Sequence, residues 1–318
     1  MTDTTAAANR APKPDSILRK LGKAILLMRE SRIGMFGAFL VLFWVMIAIF
    51  VPLLPLHEPL TITRGSSLMP MLSTDPTGAF HWLGTDDRSR DILSRLLWGS
   101  RLVLFWATAA TLVAYTMGML LGVMAGYKAG WWDEVISFIG NVLLSFPLLV
   151  LYLVILTSFG ANSSAGQWLK AALGVDSSVI AGIMIIVAVM FGTAPQVARI
   201  VRGLVLDLKT RDYIAAAEVR GESPLYIMLV ELLPNARGPL IVDACLRLGY
   251  VTITIALLGF LGLGLPPPDP DWGKMINEAR AWGSNGMNAM LWPAFAISTL
   301  VLGLNLLADG IREISLRD

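Results

Sequence analysis

The chain has 318 residues, of which 55% are hydrophobic and 15% are charged, and its mean hydropathy is +0.66. Soluble domains carry about 25% charged residues, so this composition excludes an ordinary soluble enzyme and predicts a protein that crosses a membrane several times. The net charge of +2 is too small to predict nucleic-acid binding. One cysteine, Cys245, excludes an intrachain disulfide, and two histidines are too few to predict a metal site.

The chain begins with a polar, basic tail, residues 1–32. Its first half is small and polar, a composition typical of disorder. Residues 17–31 place apolar side chains opposite lysines and arginines. Two interpretations stay open for this stretch, an amphipathic helix on the inner membrane surface or a plain basic flank of the first span.

Six apolar stretches are long enough to cross a bilayer, which requires about 20 residues. The predicted spans lie near 33–55, 100–126, 133–160, 178–202, 238–264 and 288–309. The predicted organisation is a tail at 1–32, a first span, an extracytoplasmic loop at 56–99, a five-span core at 100–309 with a loop at 203–237, and a tail at 310–318. Lysine and arginine are concentrated in both tails and the 203–237 loop. This distribution predicts that all three segments face the cytoplasm.

Polar residues inside membrane spans are costly and indicate function by default. Asn141 lies in the predicted third span, and Asp243 and Arg247 lie four residues apart in the fifth. All three are candidates to line a translocation path, and for Asn141 a role in bending its helix is the alternative. For Asp243 and Arg247 a purely structural ion pair is the alternative.

The sequence of residues 210–235, here called the coupling segment, predicts two short helices. Thr210 can cap the first helix, and Gly221 supplies the left-handed residue that commonly ends one. Ser223 can cap the second helix, and the Leu233-Pro234 pair is predicted to end it.

The coupling segment resembles the EAA loop of ABC-importer permeases. The matching residues are Ala216, Ala217, Gly221, Leu233 and Pro234. Ala215 stands in place of the motif's usual Glu, so the position of the helix is better matched than any one salt bridge. The resemblance implies that the helix containing Tyr213 docks in a cleft of an ATPase subunit. An ordinary cytoplasmic helical hairpin is the alternative.

A second motif, HWLGTDDRSRDILSRLLWGSRLVL, precedes the predicted second span at residues 81–104. Its apolar and polar residues alternate at helical spacing, which predicts an interfacial helix leading into the span. Asp91 and Arg95 are four residues apart and are predicted to form an ion pair on that helix.

This motif is similar to a signature of the second, or C-type, permease subunits of dipeptide, oligopeptide and nickel importers. The matching residues are Gly84, Thr85, Asp86, Arg90, Asp91, Arg95 and Arg101. Ser89 replaces the signature's Gly. Two further stretches resemble the same family in the same order, LGFLGLGLPPPDPDWG at 258–273 and GLNLLADGIR at 303–312.

Together these resemblances imply an all-α polytopic membrane protein, the six-span, MetI-like transmembrane domain of a type I ABC importer. They imply a bacterial inner-membrane location and three kinds of partner besides the lipid bilayer. These partners are a homologous sister permease, two ABC ATPase subunits that bind ATP and Mg, and an extracytoplasmic solute-binding protein. The implied cargo is a peptide, with a nickel chelate or another small solute as the alternative.

The chain itself contains no G-x-x-x-x-G-K motif and no paired catalytic residues, so we predict neither a cofactor nor a catalytic site in it. The competing class is a self-sufficient secondary transporter or channel. That class predicts inverted repeats and several buried acidic residues in the spans. The sequence shows no clear repeat and few charges at mid-span.

Overall fold

The structure is a computed structural model that describes residues 31–63, 65–266 and 269–315. The predicted amphipathic stretch at 17–30 lies outside the described residues. The elements are α1 (Arg32–Phe50), β1 (Ser73–Thr74), β2 (Phe80–His81), α2 (Ile92–Lys128), α3 (Gly130–Ser145), α4 (Leu148–Phe159), α5 (Ser164–Leu173), α6 (Ser177–Leu208), α7 (Asp212–Val219), α8 (Pro224–Tyr226), α9 (Leu233–Asn235), α10 (Arg237–Phe260), α11 (Trp272–Arg280) and α12 (Met287–Ser315). The antiparallel pair β1–β2 is the one sheet within these residues.

The number of membrane crossings depends on how one bent helix pair is counted. Five described helices, α1, α2, α6, α10 and α12, are long and apolar enough to span a bilayer. The pair α3–α4 gives a sixth crossing if its two helices act as one span. The mostly helical, five- or six-span architecture agrees with the predicted fold class.

The third predicted span is a bent pair of helices. Helices α3 and α4 meet at Phe146-Pro147 with a bend of 91°. Phe146 is extended, with φ −83° and ψ 139°, which is the conformation that steric contact with a following proline favours. Pro147 also has no N–H to continue the α3 ladder, so the helix ends before it.

The helix that contains the second predicted span begins before that span, and the predicted interfacial turns are its first turns. Helix α2 runs for 37 residues from Ile92, a length of about 55 Å, against a hydrocarbon core of about 30 Å. Asp91 is its N-cap, since its Oδ2 accepts a hydrogen bond of 2.7 Å from Ser94 N. With no break between the amphipathic turns and the apolar run, both belong to one helix.

Helices α2 and α6 pack closely through a stripe of small residues. Gly118, Gly122 and Gly126 lie at four-residue spacing on α2. A Cβ added to Gly118 or Gly122 would lie 2.6 Å from a backbone carbonyl oxygen of α6. Such small-residue contacts let two membrane helices approach backbone to backbone, where van der Waals packing holds them.

The remaining long helices surround this pair. Helix α1 packs on α12, where Gly310 of the GLNLLADGIR motif meets Gly34 so closely that a Cβ on Gly310 would lie 2.4 Å from the Gly34 Cα. A buried cluster joins α1, the start of α2, α11 and α12 around Trp44 and Trp272. A second cluster joins the far ends of α2 and α6 to residues 214–240. The two clusters place ordered segments at opposite ends of the α2–α6 pair.

Candidate coupling segment, charged cap and translocation path

The first helix of the coupling segment, α7, begins at Asp212, one residue later than a cap at Thr210 predicts. Arg211 is the N-cap, in extended conformation, and Thr210 does not cap α7. The Thr210 hydroxyl instead donates a hydrogen bond of 2.8 Å to the carbonyl oxygen of Asp207. The Thr210 side chain therefore satisfies a free carbonyl at the end of α6 and is not the cap of the next helix.

The predicted end of α7 and the predicted start of the next helix are confirmed. Gly221 has φ +78°, and Glu222 N donates a hydrogen bond of 3.2 Å to Ala217 O across it. A left-handed glycine after a helix closes its last carbonyls in this way. The Ser223 hydroxyl oxygen then accepts a hydrogen bond of 3.3 Å from Tyr226 N, and Pro224 begins α8.

Leu233-Pro234 does not end the second helix, contrary to prediction. A π-helical turn spans Ile227–Leu232, α9 follows at once, and α10 begins after the single residue Ala236. Pro234 occupies the first turn of α9, where a missing N–H costs least. The wider π turn before it shifts the hydrogen-bond register, so the chain continues into α10 without a loop.

The two alanines predicted to dock a partner face opposite ways. Ala217 is fully buried, and it packs with Ile214, Ile227 and Val205 in the cluster at the ends of α2 and α6. Ala216 is exposed. Only Ala216 is therefore accessible to another protein, while Ala217 holds α7 on its own chain.

The coupling segment also presents a contiguous set of exposed apolar side chains that sequence reasoning missed. Val219 is 88% exposed and Leu225 is 67% exposed, and the exposed set continues through Tyr226, Leu229 and Val230. Exposed apolar patches on a monomer indicate a binding surface for a protein or a membrane. Tyr213 is half-buried beneath, and burial raises the pKa of its hydroxyl.

At the other end of the α2–α6 pair, residues 81–95 and α11 form what we call the charged cap. Arg90 Nε donates to Asp86 Oδ2 at 2.7 Å, and Arg95 Nη1 donates to the same oxygen at 2.5 Å. Both arginines also donate to Glu278 Oε2, at 2.8 and 3.2 Å. All four side chains are at least 86% buried, so two cations and two anions neutralise each other out of water.

Glu278 is a site residue that sequence reasoning missed. The two guanidiniums hold the pKa of its carboxyl below the usual range, although burial by itself works in the opposite direction. The carboxylates of Asp86, Asp87 and Glu278 lie within 4.8 Å of one another. Arg90 and Arg95 balance Asp86 and Glu278, and Arg88 lies 4.0 Å from Asp87, so the group is built as an ion-pair network, which disfavours a bound cation.

The predicted Asp91–Arg95 pair is wrong. Asp91 Oδ1 lies 2.8 Å from Nδ1 of the buried His81, and its other oxygen caps α2. Asp91 precedes the helix in extended conformation, so the four-residue rule for helix surfaces does not apply to it. Arg95 turns to Asp86 and Glu278 instead.

Of the remaining signature residues, Gly84 and Thr85 precede α2, and Arg101 lies on α2. Thr85 pairs with Asp91 in an isolated antiparallel bridge, and Gly84 accepts from Ile92 N through its carbonyl at 3.1 Å. Ser89 has φ +61°, which explains why the signature carries glycine there. Arg101 lies apart from the ion network, with its guanidinium 5.5 Å from the centre of the Trp98 ring.

The LGFLGLGLPPPDPDWG stretch folds onto the cap through one buried aspartate. Asp271 Oδ1 accepts from Gly273 N at 2.7 Å and Lys274 N at 3.2 Å, which starts α11. A Cβ on Gly259 or Gly264 would lie 2.4 or 2.3 Å from its carboxylate oxygens. These glycines make room for Asp271, whose pKa is raised by complete burial.

The next residue, Trp272, locks the same stretch to α2. Its indole Nε1 donates a hydrogen bond of 2.8 Å to Leu96 O, and the ring meets Trp44 edge-on at 5.0 Å. Two motifs that lie about 175 residues apart in the chain therefore form one structure.

Two of the three predicted path residues, Arg247 and Asn141, form hydrogen bonds with side chains of α6. Arg247 donates to Gln196 Oε1 at 2.5 Å and lies 3.5 Å from Asp243, so this pair is also tied to a third polar group. Asn141 Oδ1 accepts from Arg199 Nη2 at 2.9 Å. Arg199 and Asn141 line an apolar cavity of about 620 Å³ between α2, α3 and α6. The path role itself stays a prediction.

The fold is that of a polytopic α-helical membrane protein. It has an ordered segment with exposed apolar side chains between α6 and α10. Residues 118–318 match the model of the family described as "Binding-protein-dependent transport system inner membrane component". The chain belongs to this family. It is an inner-membrane permease subunit of an ABC importer, a system that works with a solute-binding protein and ATPase subunits.

Similar proteins agree over most of the chain. A dipeptide transport system permease protein, DppC, of Alkalihalophilus pseudofirmus is 33% identical over 90% of this chain and 86% of the relative. A glutathione transport system permease protein, GsiD, of Pectobacterium atrosepticum is 36% identical over 76% of this chain and 74% of the relative. The DppC protein of Haemophilus influenzae is 31% identical over 90% of each chain.

Proposed function

We propose that this permease subunit imports dipeptides or similar small peptides, such as glutathione. The observation that carries the proposal is the 33% identity to a dipeptide permease over 90% of this chain, which includes the charged cap and the coupling segment. The 36% identity to a glutathione permease supports a peptide-like cargo with free carboxylates rather than a metal chelate.

The proposed assembly pairs this chain with a homologous sister permease and two ATPase subunits, which bind ATP and Mg. Its own residues supply the docking surface and no catalytic group. Ala216, Val219 and Leu225 lie exposed on or beside α7, where a hydrophobic cleft of an ATPase would cover them. The solute-binding protein would meet the opposite end, at the charged cap.

The proposed orientation places both termini and the coupling segment in the cytoplasm. Lysine and arginine are concentrated in the first 32 residues and around residues 199–237, which favours the inner side for both. This arrangement requires an even number of crossings, and therefore requires the bent pair α3–α4 to act as one span.

In the proposed mechanism, ATP closes the ATPase pair and moves α7. The buried contacts of Ile214 and Ala217 carry that motion to the ends of α2 and α6, and the π turn carries it to α10. The bundle then accepts solute from the binding protein and releases it inward after hydrolysis. Nucleotide can shift this equilibrium only because its contacts differ between the two states.

The test is import of alanyl-alanine by the complete transporter in proteoliposomes, comparing wild type with Ala216→Leu. The control is Ala171→Leu, an equally exposed alanine on α5. We expect Ala216→Leu to lose more than about tenfold in ATP-driven import, as when an interface hot spot is lost, and the control to lose none. Import that proceeds without ATP would replace this proposal with the secondary-transporter class.

A further inference from the structure

A second cavity lies beside the charged cap, at the end of the molecule opposite the coupling segment. Its volume is about 370 Å³. The end of α4 and the following turn form one wall, from Thr157 to Ser163, and the glycine-rich turn from Gly262 to Pro266 forms the other. Lys274 of α11 is its one charged lining residue among those described.

Lys274 brings a half-buried ammonium to this cavity without a matching anion. Among residues 31–63, 65–266 and 269–315, no carboxylate lies within 4.0 Å of its Nζ, and Nζ makes no hydrogen bond. The two nearby carboxylates are already engaged, Glu278 by two arginines and Asp271 by backbone N–H groups. Burial lowers the pKa of Lys274, which shows that its charge is poorly solvated.

A cation in this position favours an anion from outside the chain. The two nearby carboxylates attract Lys274 from a distance while Arg95 and Arg88 repel it, and the balance leaves the pKa of Lys274 lowered by burial. Asn162, on the opposite wall, adds an exposed side-chain amide that can donate to the same anion. The cavity is near the small end of the range for ligand pockets, about 300–1,000 Å³, so it suits one end of a small solute.

We propose that Lys274 and this cavity bind a carboxylate of the incoming peptide at the mouth of the permease, before the peptide enters the span region. The proposal rests on the proposed function above, since it requires a solute with a free carboxylate. It makes Lys274 a specificity residue of the permease itself, separate from whatever the solute-binding protein selects.

The first test compares alanyl-alanine import by wild type, Lys274→Gln and Lys274→Arg in the complete transporter, reconstituted in phosphatidylcholine. The control is Lys170→Gln, an exposed lysine on α5 that bonds Ser177 instead of lining the cavity. We expect Lys274→Gln to lower kcat/KM about tenfold, Lys274→Arg to keep most of it, and Lys170→Gln to keep all of it. Wild-type import rates in Lys274→Gln would overturn the proposal.

The second test detects the contact directly, by saturation-transfer NMR of the same complexes in nanodiscs. Alanyl-alanine should receive signal from wild type, and should lose most of it in Lys274→Gln. Alanyl-alaninamide, which lacks the carboxylate, should give the weak signal in both proteins. Equal signals from the two peptides would contradict a carboxylate site.

Two further outcomes distinguish a wrong ligand from a wrong proposed function. If Lys274→Gln differs from wild type only when phosphatidylglycerol is present, the anion is a lipid phosphate and the solute assignment is wrong. If wild type imports neither alanyl-alanine nor glutathione, the proposed function fails, and the NMR comparison still decides whether the cavity takes a carboxylate.

Discussion

The charged cap and the coupling segment occupy opposite ends of the α2–α6 pair and are held by different interactions. In the cap, Arg90 and Arg95 bind Asp86 and Glu278 at 2.5–3.2 Å in a buried network. In the coupling segment the buried contacts are apolar. Its ion pairs, such as Arg220 with Glu231 at 3.3 Å, are longer and lie at the surface.

This difference separates a part with one defined geometry from a part that can shift. A buried charge network is satisfied in a single arrangement, and removing one member leaves a partner charge out of water. The buried contacts of small apolar side chains such as Ala217 and Val205 are non-directional, so they fix the geometry less strictly than charged hydrogen bonds do. The chain thus has a rigid end and an adaptable end, joined by tightly packed helices.

The largest effect should follow from Asp86→Asn, which removes a carboxylate bonded to both buried arginines. We expect a loss of about 3–5 kcal/mol in unfolding free energy, because two guanidiniums then share one anion. Thermal unfolding of the purified permease in detergent measures this loss. Asp87→Asn is the matched control, since Asp87 belongs to the same carboxylate group but its one ion pair among the described residues is with the exposed Arg88, at 4.0 Å. Equal stability of the two variants would contradict the network's role.

A smaller effect should follow from Ala217→Leu in the coupling segment. Ala217 is fully buried, so the larger side chain overpacks its cluster, and we expect a loss of about 1–3 kcal/mol. The exposed Ala216 makes Ala216→Leu the control, and it should unfold like wild type while still failing in import. If both variants unfold alike, the two alanines do not face opposite ways.

The smallest effect should come from acid, acting on the cap. Glu278 has a pKa below its usual range in the folded protein, whereas in the unfolded chain it titrates near about 4.3. Its contribution to stability is therefore present above that unfolded value and is lost as the pH falls through the folded one. Thermal unfolding between about pH 5 and pH 2 should show a shallower fall in Glu278→Gln than in wild type. Parallel curves would show that Glu278 gains no stability from its partners.

Much of this fold could be predicted because hydropathy and turn chemistry are local signals. The apolar runs gave the long helices, and the left-handed Gly221 and the Ser223 cap were readable from the residue types alone. The errors fall where a local rule competed with a neighbour. Thr210, for example, bonds backward to Asp207 instead of forward.

The candidate sites were less predictable because their partners are distant in the chain. Glu278 lies 188 residues from Arg90, and no spacing rule joins them. The excess of arginines in the signature was a usable signal, since buried guanidiniums require anions from somewhere. The opposite exposure of Ala216 and Ala217 depends on how α7 packs on α2 and α6, which local sequence does not determine.

The continuous path from the coupling segment into α10 gives the molecule a stiff shaft. One residue, Ala236, separates α9 from α10, and α10 extends about 36 Å. No flexible loop therefore lies between the π turn and α10 to absorb a rotation applied at the π turn. Asp243 and Arg247 ride on that shaft within its first three turns. A rotation of α10 about its axis would therefore move both charges, and it would change the hydrogen bond from Arg247 to Gln196 of α6.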